Sequence, residues 1–117
     1  MKKRTIAFVG STKKDLEKLP IDVKEIFVYA IDMAAKGKMH SNGKVLKGFK
    51  GASVVEIKAD YNSDTFRAVY TIKHKEFLYV LQVFKKKSSK GISLSKKDKE
   101  LLEIRIKSAK RHYSNYG

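Results

Sequence analysis

The sequence predicts an α+β fold: a mainly antiparallel sheet with a mixed edge, a helical hairpin on one face, and a C-terminal helix. Three stretches support this prediction. Residues 66–84 form two strand-like runs on either side of a polar tetrapeptide at 73–76, as in a β-hairpin. Residues 21–36 place apolar side chains at helical spacing. Residues 95–98 read Ser-Lys-Lys-Asp, which resembles a capping box ahead of a last helix.

The first part of the chain predicts one strand and two helices. A short apolar run predicts a strand over 5–9, and a short helix follows over 13–19. Pro20 separates this helix from the next, because proline disfavours helical geometry in the residue before it and suits a first helical turn. The second helix, 21–36, ends before Gly37, which suits the left-handed position after a helix. We expect the two helices to cover one face of the sheet.

The strands that follow carry most of the polar residues of interest. Residues 53–59 predict a half-buried strand with Glu56 and Lys58 side by side on its polar face. The first strand of the hairpin carries Arg67 on the corresponding face. If these strands pair as a meander, Glu56, Lys58 and Arg67 converge on one patch, with Gln82 beside them on the next strand.

The second strand of the hairpin, 77–84, is apolar at nearly every position. We therefore expect it to lie in the interior of the sheet, with both faces covered. Strict alternation would place Leu78 and Val80 on the face of Gln82, and Leu81 on the opposite face. We expect Tyr70, on the first strand, in the core and the three histidines at the surface.

The charge balance predicts a polyanionic partner. Among 117 residues, 27 are lysine or arginine and 12 are aspartate or glutamate, which gives a net charge of +15. Folding does not require this excess, and repulsion between like charges opposes the compact state. Displacing counterions from phosphates would give such a domain affinity for nucleic acid. The alternative is a surface that is merely soluble and rich in lysine.

Several classes of protein are excluded by what the sequence lacks. There is no cysteine, so disulfides and thiolate metal sites are absent. The histidines lie far apart, and no zinc spacing or phosphate-binding glycine loop occurs. The apolar run at 6–9 is too short for a secretory signal, and no run is long enough to span a membrane. We expect one domain over residues 1–117, in the cytoplasm, with no metal, no small-molecule cofactor and no membrane partner.

What remains is a cationic and acidic set of residues on one sheet face, and such a set could cleave RNA without a metal. A base removes the proton of the 2′-hydroxyl, cations stabilise the added negative charge on phosphorus, and an acid protonates the leaving 5′-oxygen. Arg67 suits the role of cation because its planar guanidinium can hold two phosphate oxygens. A lysine or Glu56 could act as the base. The predicted catalytic residues are Arg67, Lys58, Glu56 and Lys86, and the predicted RNA-binding residues are Lys85, Lys87, Lys90 and Gln82.

Each of these assignments has a structural alternative. Arg67 can simply form an ion pair with Glu56 across the strands. The lysines at 85–87 can be a solvated strand end or a passive patch that binds phosphate.

Residues 54–58, 66–70 and 80–88 resemble the RelE/ParE toxin superfamily, and within it the phage-derived HigB-like branch. Residues 46–49 and 109–111 fit the same pattern. The resemblance implies a type II toxin–antitoxin toxin that cleaves messenger RNA in the ribosomal A site. It also implies a neighbouring helix-turn-helix antitoxin as partner, together with the ribosome and its message.

The resemblance assigns roles residue by residue. Lys58 falls on a strand position that is often basic in these RNases, Arg67 on their phosphate-contacting arginine, and 85–87 on their basic segment. Related sequences often have histidine where this chain has Gln82, and glutamine cannot transfer a proton. ParE-type relatives share the fold but act on DNA gyrase. A non-catalytic toxin of that type, or a basic nucleic-acid-binding module, is therefore the alternative function. We expect Arg67→Ala to abolish toxicity and leave the fold intact.

Overall fold

The computed structural model describes residues 2–87 and 94–116, with residues 86 and 87 described by their backbone alone. The elements follow the predicted order of strand, two helices, antiparallel strands and helix. They are β1 (Thr5–Phe8), α1 (Thr12–Glu17), α2 (Ile21–Ala35), β2 (Gly43–Val45), β3 (Val54–Tyr61), β4 (Asp64–Thr71), β5 (Phe77–Lys87) and α3 (Lys96–Tyr116).

The strands form one five-stranded sheet in the order β1-β5-β4-β3-β2. The pairs from β5 to β2 are antiparallel, whereas β1 pairs with β5 in parallel, so the predicted mixed edge is confirmed. Asn62 and Ser63 both have positive φ angles in the tight turn between β3 and β4, as in a type I′ hairpin. Strand β5 has a neighbour on each side, which confirms its interior position.

The face under α1 and α2 is apolar throughout its core. Val23, Phe27 and Ala30 recur at helical spacing along α2 and are buried against the sheet. The helix ends where predicted, since Gly37 follows it with a φ of 85°. Tyr70 of β4 lies in this core, as expected, and burial raises its pKa to about 12.

Helix α3 covers the other face of the sheet. Leu102 and Ala109 are buried there, in a cluster that includes Val69 and Leu81. The helix begins as its sequence predicted, because the Ser95 hydroxyl accepts a hydrogen bond from the backbone N–H of Asp98 at 3.1 Å. The face that carries the polar strand residues is therefore partly covered by a helix.

A β-bulge interrupts β5, so the predicted strict alternation of this strand is wrong. Val69 lies opposite Gln82, whereas the next residue, Tyr70, lies opposite Val80, so Leu81 is the extra residue. Arg105 of α3 donates a hydrogen bond from Nη1 to the carbonyl of Leu81 at 2.8 Å, which gives the bulged backbone a partner.

The bulge changes which residues share a face. Before it, Leu78 and Val80 pack in the core under α2. Beyond it, Gln82 and Phe84 lie opposite Val69 and Arg67, on the α3 face. The prediction that Leu78, Val80 and Gln82 share a face was therefore wrong. The prediction that Gln82 lies beside the polar residues of β3 and β4 is confirmed.

Within the part of the chain that the structure describes, we find no helix both long enough and apolar enough to serve as a membrane span.

Candidate functional site

The register of β3 and β4 brings the predicted polar residues together. Lys58 lies directly opposite Arg67, and Glu56 lies opposite Val69. Residues opposite one another in an antiparallel pair share a face, as do residues two apart on one strand. Glu56, Lys58 and Arg67 therefore share the α3 face, as the sequence predicted.

Two of these three residues form a buried ion pair. Arg67 donates a hydrogen bond from Nη1 to Oε2 of Glu56 at 2.8 Å. Only 5% of Arg67 and 2% of Glu56 is exposed. The Nε of Arg67 is also buried and has no hydrogen-bond partner among the described residues. The ion pair named above as the structural alternative is thus present, and neither side chain is exposed for direct contact with a polyanion.

This burial changes the expectation for Arg67→Ala. Removing one member of a buried pair leaves the other charge without compensation, which typically costs about 3–5 kcal/mol. The substitution would therefore affect the fold as well as any activity.

Gln82 links the sheet to α3. It is 4% exposed, and its Nε2 donates a hydrogen bond to Oδ1 of Asp98 at 3.2 Å. Its Oε1 has no partner among the described residues. The predicted role in binding RNA does not match this position, since the side chain lies between β5 and the start of α3.

Lys58 is the accessible member of the set. It is half-buried, and among the described residues its side chain has no ion-pair partner. On the next strand, Lys44 lies opposite Glu56 and is exposed, so it shares the same face. The sequence does not reveal this position of Lys44, because a three-residue strand such as β2 is too short to show a periodic pattern.

A groove continues from Lys44 toward the start of α3. Its volume is about 430 Å³, and its lining is Lys44, Val45, Leu46, Lys47, Phe49, Leu94 and Lys99. Three of these residues are lysines and none is acidic. Gly48, directly after Lys47, has a φ of 93°, which glycine adopts readily. This segment lies close to α3, since a Cβ added at Gly48 would lie 3.7 Å from Nζ of Lys99. We call Lys44, Lys47 and Lys99, which line the groove, together with Lys58 on the adjoining sheet face, the groove lysines.

The groove has the chemistry of a nucleic-acid contact. Cations in a channel can neutralise phosphates, and an aromatic side chain beside them can stack on a base. Phe49 supplies the aromatic group in the lining. Of the groove lysines, the sequence singled out Lys58 alone, although Lys47 lies in a segment that contributed to the family resemblance.

The structure describes only part of the basic end of β5. Nζ of Lys85 lies 3.7 Å from Oδ2 of Asp64. Lys85 lies opposite Phe66, which packs in the core under α2. Lys85 therefore belongs to the opposite face from Arg67. The backbones of Lys86 and Lys87 pair with Thr65 and Asp64, and their side chains lie outside the described part. Lys90 lies outside the described residues altogether.

The histidines are not all at the surface. His74 is 8% exposed, and its ring lies 4.5 Å from that of Tyr113 and 5.3 Å from that of Tyr79. Burial, together with the charge of Lys73, lowers the pKa of His74. The expectation of a surface position was wrong for this residue. His112 is exposed, and its Nδ1 is hydrogen-bonded to the Tyr79 hydroxyl at 2.8 Å.

Metal ligands do not cluster in the described structure. Across residues 2–87 and 94–116, no group of three or more histidine, aspartate or glutamate side chains is arranged to hold an ion.

Comparison with known proteins gives one family match. Residues 14–107, most of the chain, match the family described as Phage derived protein Gp49-like (DUF891). The matched range contains α2, strands β2 to β5 and the first half of α3, and thus the groove and the Glu56–Arg67 pair. The chain has no match among the curated proteins.

Proposed function

We propose that this chain, which belongs to the phage-derived Gp49-like family of toxin–antitoxin toxins of the RelE/ParE-like type, is an endoribonuclease that cleaves messenger RNA on the ribosome without a metal. Its family membership gives it an antitoxin as partner. We further propose that it belongs to the HigB-like branch and that its antitoxin is a helix-turn-helix protein. The ribosome and its message are the proposed targets.

The groove lysines are the observation that carries this proposal. Lys44, Lys47 and Lys99 line one channel, and Lys58 lies on the same sheet face as Lys44. Each phosphate that a lysine neutralises releases condensed counterions, which favours binding of RNA of any sequence. The net charge of +15 acts in the same direction by attracting a polyanion over longer distances.

We assign the central electrostatic role to Lys58. In the reaction, the 2′-oxygen attacks phosphorus, the bond to the 5′-oxygen breaks, and negative charge accumulates on the phosphate oxygens in between. Lys58 is the half-buried but accessible cation that lies opposite Arg67, so its ammonium group can approach those oxygens. Arg67 supports this surface from beneath, through the bond to Glu56 that ties β4 to β3.

The remaining assignments rest on the sequence. Lys86 is the candidate for proton transfer, and Lys87 and Lys90 are candidate phosphate contacts. Glu56 is not assigned as the base, because its carboxylate is buried and engaged by Arg67. The positions of Lys85 and Gln82 likewise favour structural roles.

Mapping of message ends in a translating extract tests the proposal. The wild-type protein should create new ends within translated messages. Lys44→Gln combined with Lys58→Gln should reduce cleavage by at least about tenfold, since removing one group that stabilises transition-state charge can cost a hundredfold or more. The matched control is Lys13→Gln with Lys18→Gln, two exposed lysines near α1 whose loss changes the net charge equally. This control should cleave like the wild type.

Two results would contradict the proposal. Intact messages at doses that block translation or growth would favour a toxin that inhibits a protein target. Equal cleavage by the groove variant and the control, with both variants folded by circular dichroism, would remove the groove from the mechanism.

A further inference from the structure

A second basic cleft lies at the opposite end of β5 from Arg67. Its volume is about 400 Å³, and it is lined by Lys2, Lys3, Arg4, Thr5, Lys75, Glu76 and Tyr116. Four of these residues are cations and one is an acid. Neither the sequence analysis nor the proposed cleavage mechanism uses this cleft.

Several of the charged groups in the cleft already have partners. Lys3 Nζ lies 2.6 Å from Oδ1 of Asp32, and Arg4 donates from Nε to the carbonyl of His74 at 2.9 Å. Glu76 accepts a hydrogen bond from the Tyr113 hydroxyl.

Two cations remain. Lys2 and Lys75 are exposed, and within the described part of the chain neither side chain has a hydrogen-bond or ion-pair partner. The cleft therefore offers an anionic ligand two ammonium groups that have no direct ion-pair partner among the described residues.

Tyr116 supplies an aromatic surface beside these cations. Its ring packs edge-on against Phe77, at 4.7 Å between centroids and 88° between planes. It lies nearly parallel to the ring of Tyr113, at 6.3 Å and 15°. Two neighbours thus fix the orientation of the ring, while 58% of the residue stays exposed. A fixed and exposed aromatic ring suits stacking on a nucleobase.

The cleft is distinct from the groove. The linings of the two sites share no residue. Thr5 in the cleft belongs to β1 at one edge of the sheet, whereas Lys44 in the groove belongs to β2 at the other edge. The few ligand atoms that occupy the cleft therefore cannot also contact the groove lysines.

We propose that this cleft binds single-stranded RNA, with phosphates at Lys2 and Lys75 and a base stacked on Tyr116. An acidic peptide could satisfy the two ammonium groups but would leave the tyrosine ring unused, whereas an unpaired nucleotide uses both. The inference goes beyond the proposed cleavage, because it requires binding alone and would hold for a protein that cleaves nothing.

Binding of a fluorescent single-stranded oligouridine to the purified protein, without ribosomes, tests the aromatic part. Tyr116→Ala should weaken binding by about fivefold or more, the lower end of what one stacked base contributes. Tyr116→Phe keeps the ring and should stay within about twofold of the wild type. Equal loss in the two variants, or no loss in either, would overturn the proposal.

The salt dependence of binding tests the cationic part. If Lys2 and Lys75 each contact a phosphate, Lys2→Gln with Lys75→Gln should reduce the slope of log affinity against log salt by about 1.4, or about 0.7 for each contact with a single strand. Lys13→Gln with Lys18→Gln has the same charge change and should leave the slope unchanged.

An acidic peptide of matched charge serves as the competing ligand. The proposal is supported if the peptide binds more weakly than the RNA and if Tyr116→Ala leaves binding of the peptide unchanged. Tighter binding of the peptide, or equal slopes for the two double variants, would overturn it and point to a protein ligand instead.

Discussion

The two faces of the sheet are built on different principles. Under α1 and α2 the buried sheet residues are apolar apart from the hydroxyl of Tyr70, and Phe27 and Ile57 are fully covered. Under α3 the buried set includes Glu56, Arg67 and Gln82 beside apolar residues such as Leu102. The first face is stabilised chiefly by apolar area removed from water. The second depends also on polar groups that must keep their partners, because an unpaired buried charge is costly.

The comparison also separates stability from function. Lysines gather at the margin of the polar face, where the exposed Lys44 lines the groove and the half-buried Lys58 lies on the same sheet face. Like charges placed together do not stabilise a fold, so their grouping there is explained by a ligand more readily than by packing. Helices cover both faces, and the proposed cleavage chemistry lies on the polar one.

The largest predicted effect concerns the buried pair. Arg67→Ala should lower the free energy of unfolding by about 3–5 kcal/mol, because the carboxylate of Glu56 stays buried without its partner. Urea unfolding at neutral pH measures this. The double variant Glu56→Leu, Arg67→Met replaces the pair with apolar groups and should be close to the wild type in stability. A loss below about 1 kcal/mol for Arg67→Ala would show that the pair is not buried in solution.

The next effect tests whether α3 truly covers the polar face. Leu102→Ala should cost about 2–5 kcal/mol, since the leucine is fully buried against the sheet. The control is Ile104→Ala on the same helix, where the side chain is largely exposed and the change should stay within about 0.5 kcal/mol. Similar small losses for both variants in urea unfolding would mean that α3 does not pack as described.

The smallest predicted effect is a pH dependence of stability, which arises from His74 at the edge of the polar face. The folded state lowers the pKa of His74, so in the unfolded chain this histidine takes up a proton at a higher pH, near 6.5. The stability that depends on neutral His74 is therefore present above about pH 6.5 and is lost as the pH falls toward the lowered folded-state pKa. His74→Phe keeps an aromatic ring without the proton.

Thermal unfolding across this pH range measures the difference. The midpoint of the wild type should fall more steeply on acidification than that of His74→Phe. Parallel curves for the two proteins, or a wild type that gains stability on acidification relative to the variant, would contradict the assignment.

Local patterns in the sequence predicted much of this fold. The helical spacing at 21–36 gave α2, the two runs around 73–76 gave the central hairpin, and Ser95 marked the start of α3. The shared face of Lys58 and Arg67 followed from alternation alone. These features depend on residues close in sequence, or on a hairpin whose register is set by a short turn.

The features that were missed depend on contacts between distant segments. The bulge at Leu81 left no signal, because 77–84 is apolar at both parities and either register buries apolar groups. Glu56 and Arg67 looked solvent-facing because polarity does not reveal that a helix later in the chain crosses over them. The register of Lys44 depends on a three-residue edge strand.

Lysine footprinting with and without bound RNA can show which surface of the protein contacts RNA. Acetylation of each lysine is read by mass spectrometry in the free protein and in its complex with a single-stranded RNA. We expect Lys44, Lys47, Lys58 and Lys99 to become several-fold less reactive on binding, and Lys13, Lys18 and Lys24 near the apolar face to stay unchanged. Protection of the lysines beside α1 and α2, with the groove lysines as reactive as before, would contradict this expectation.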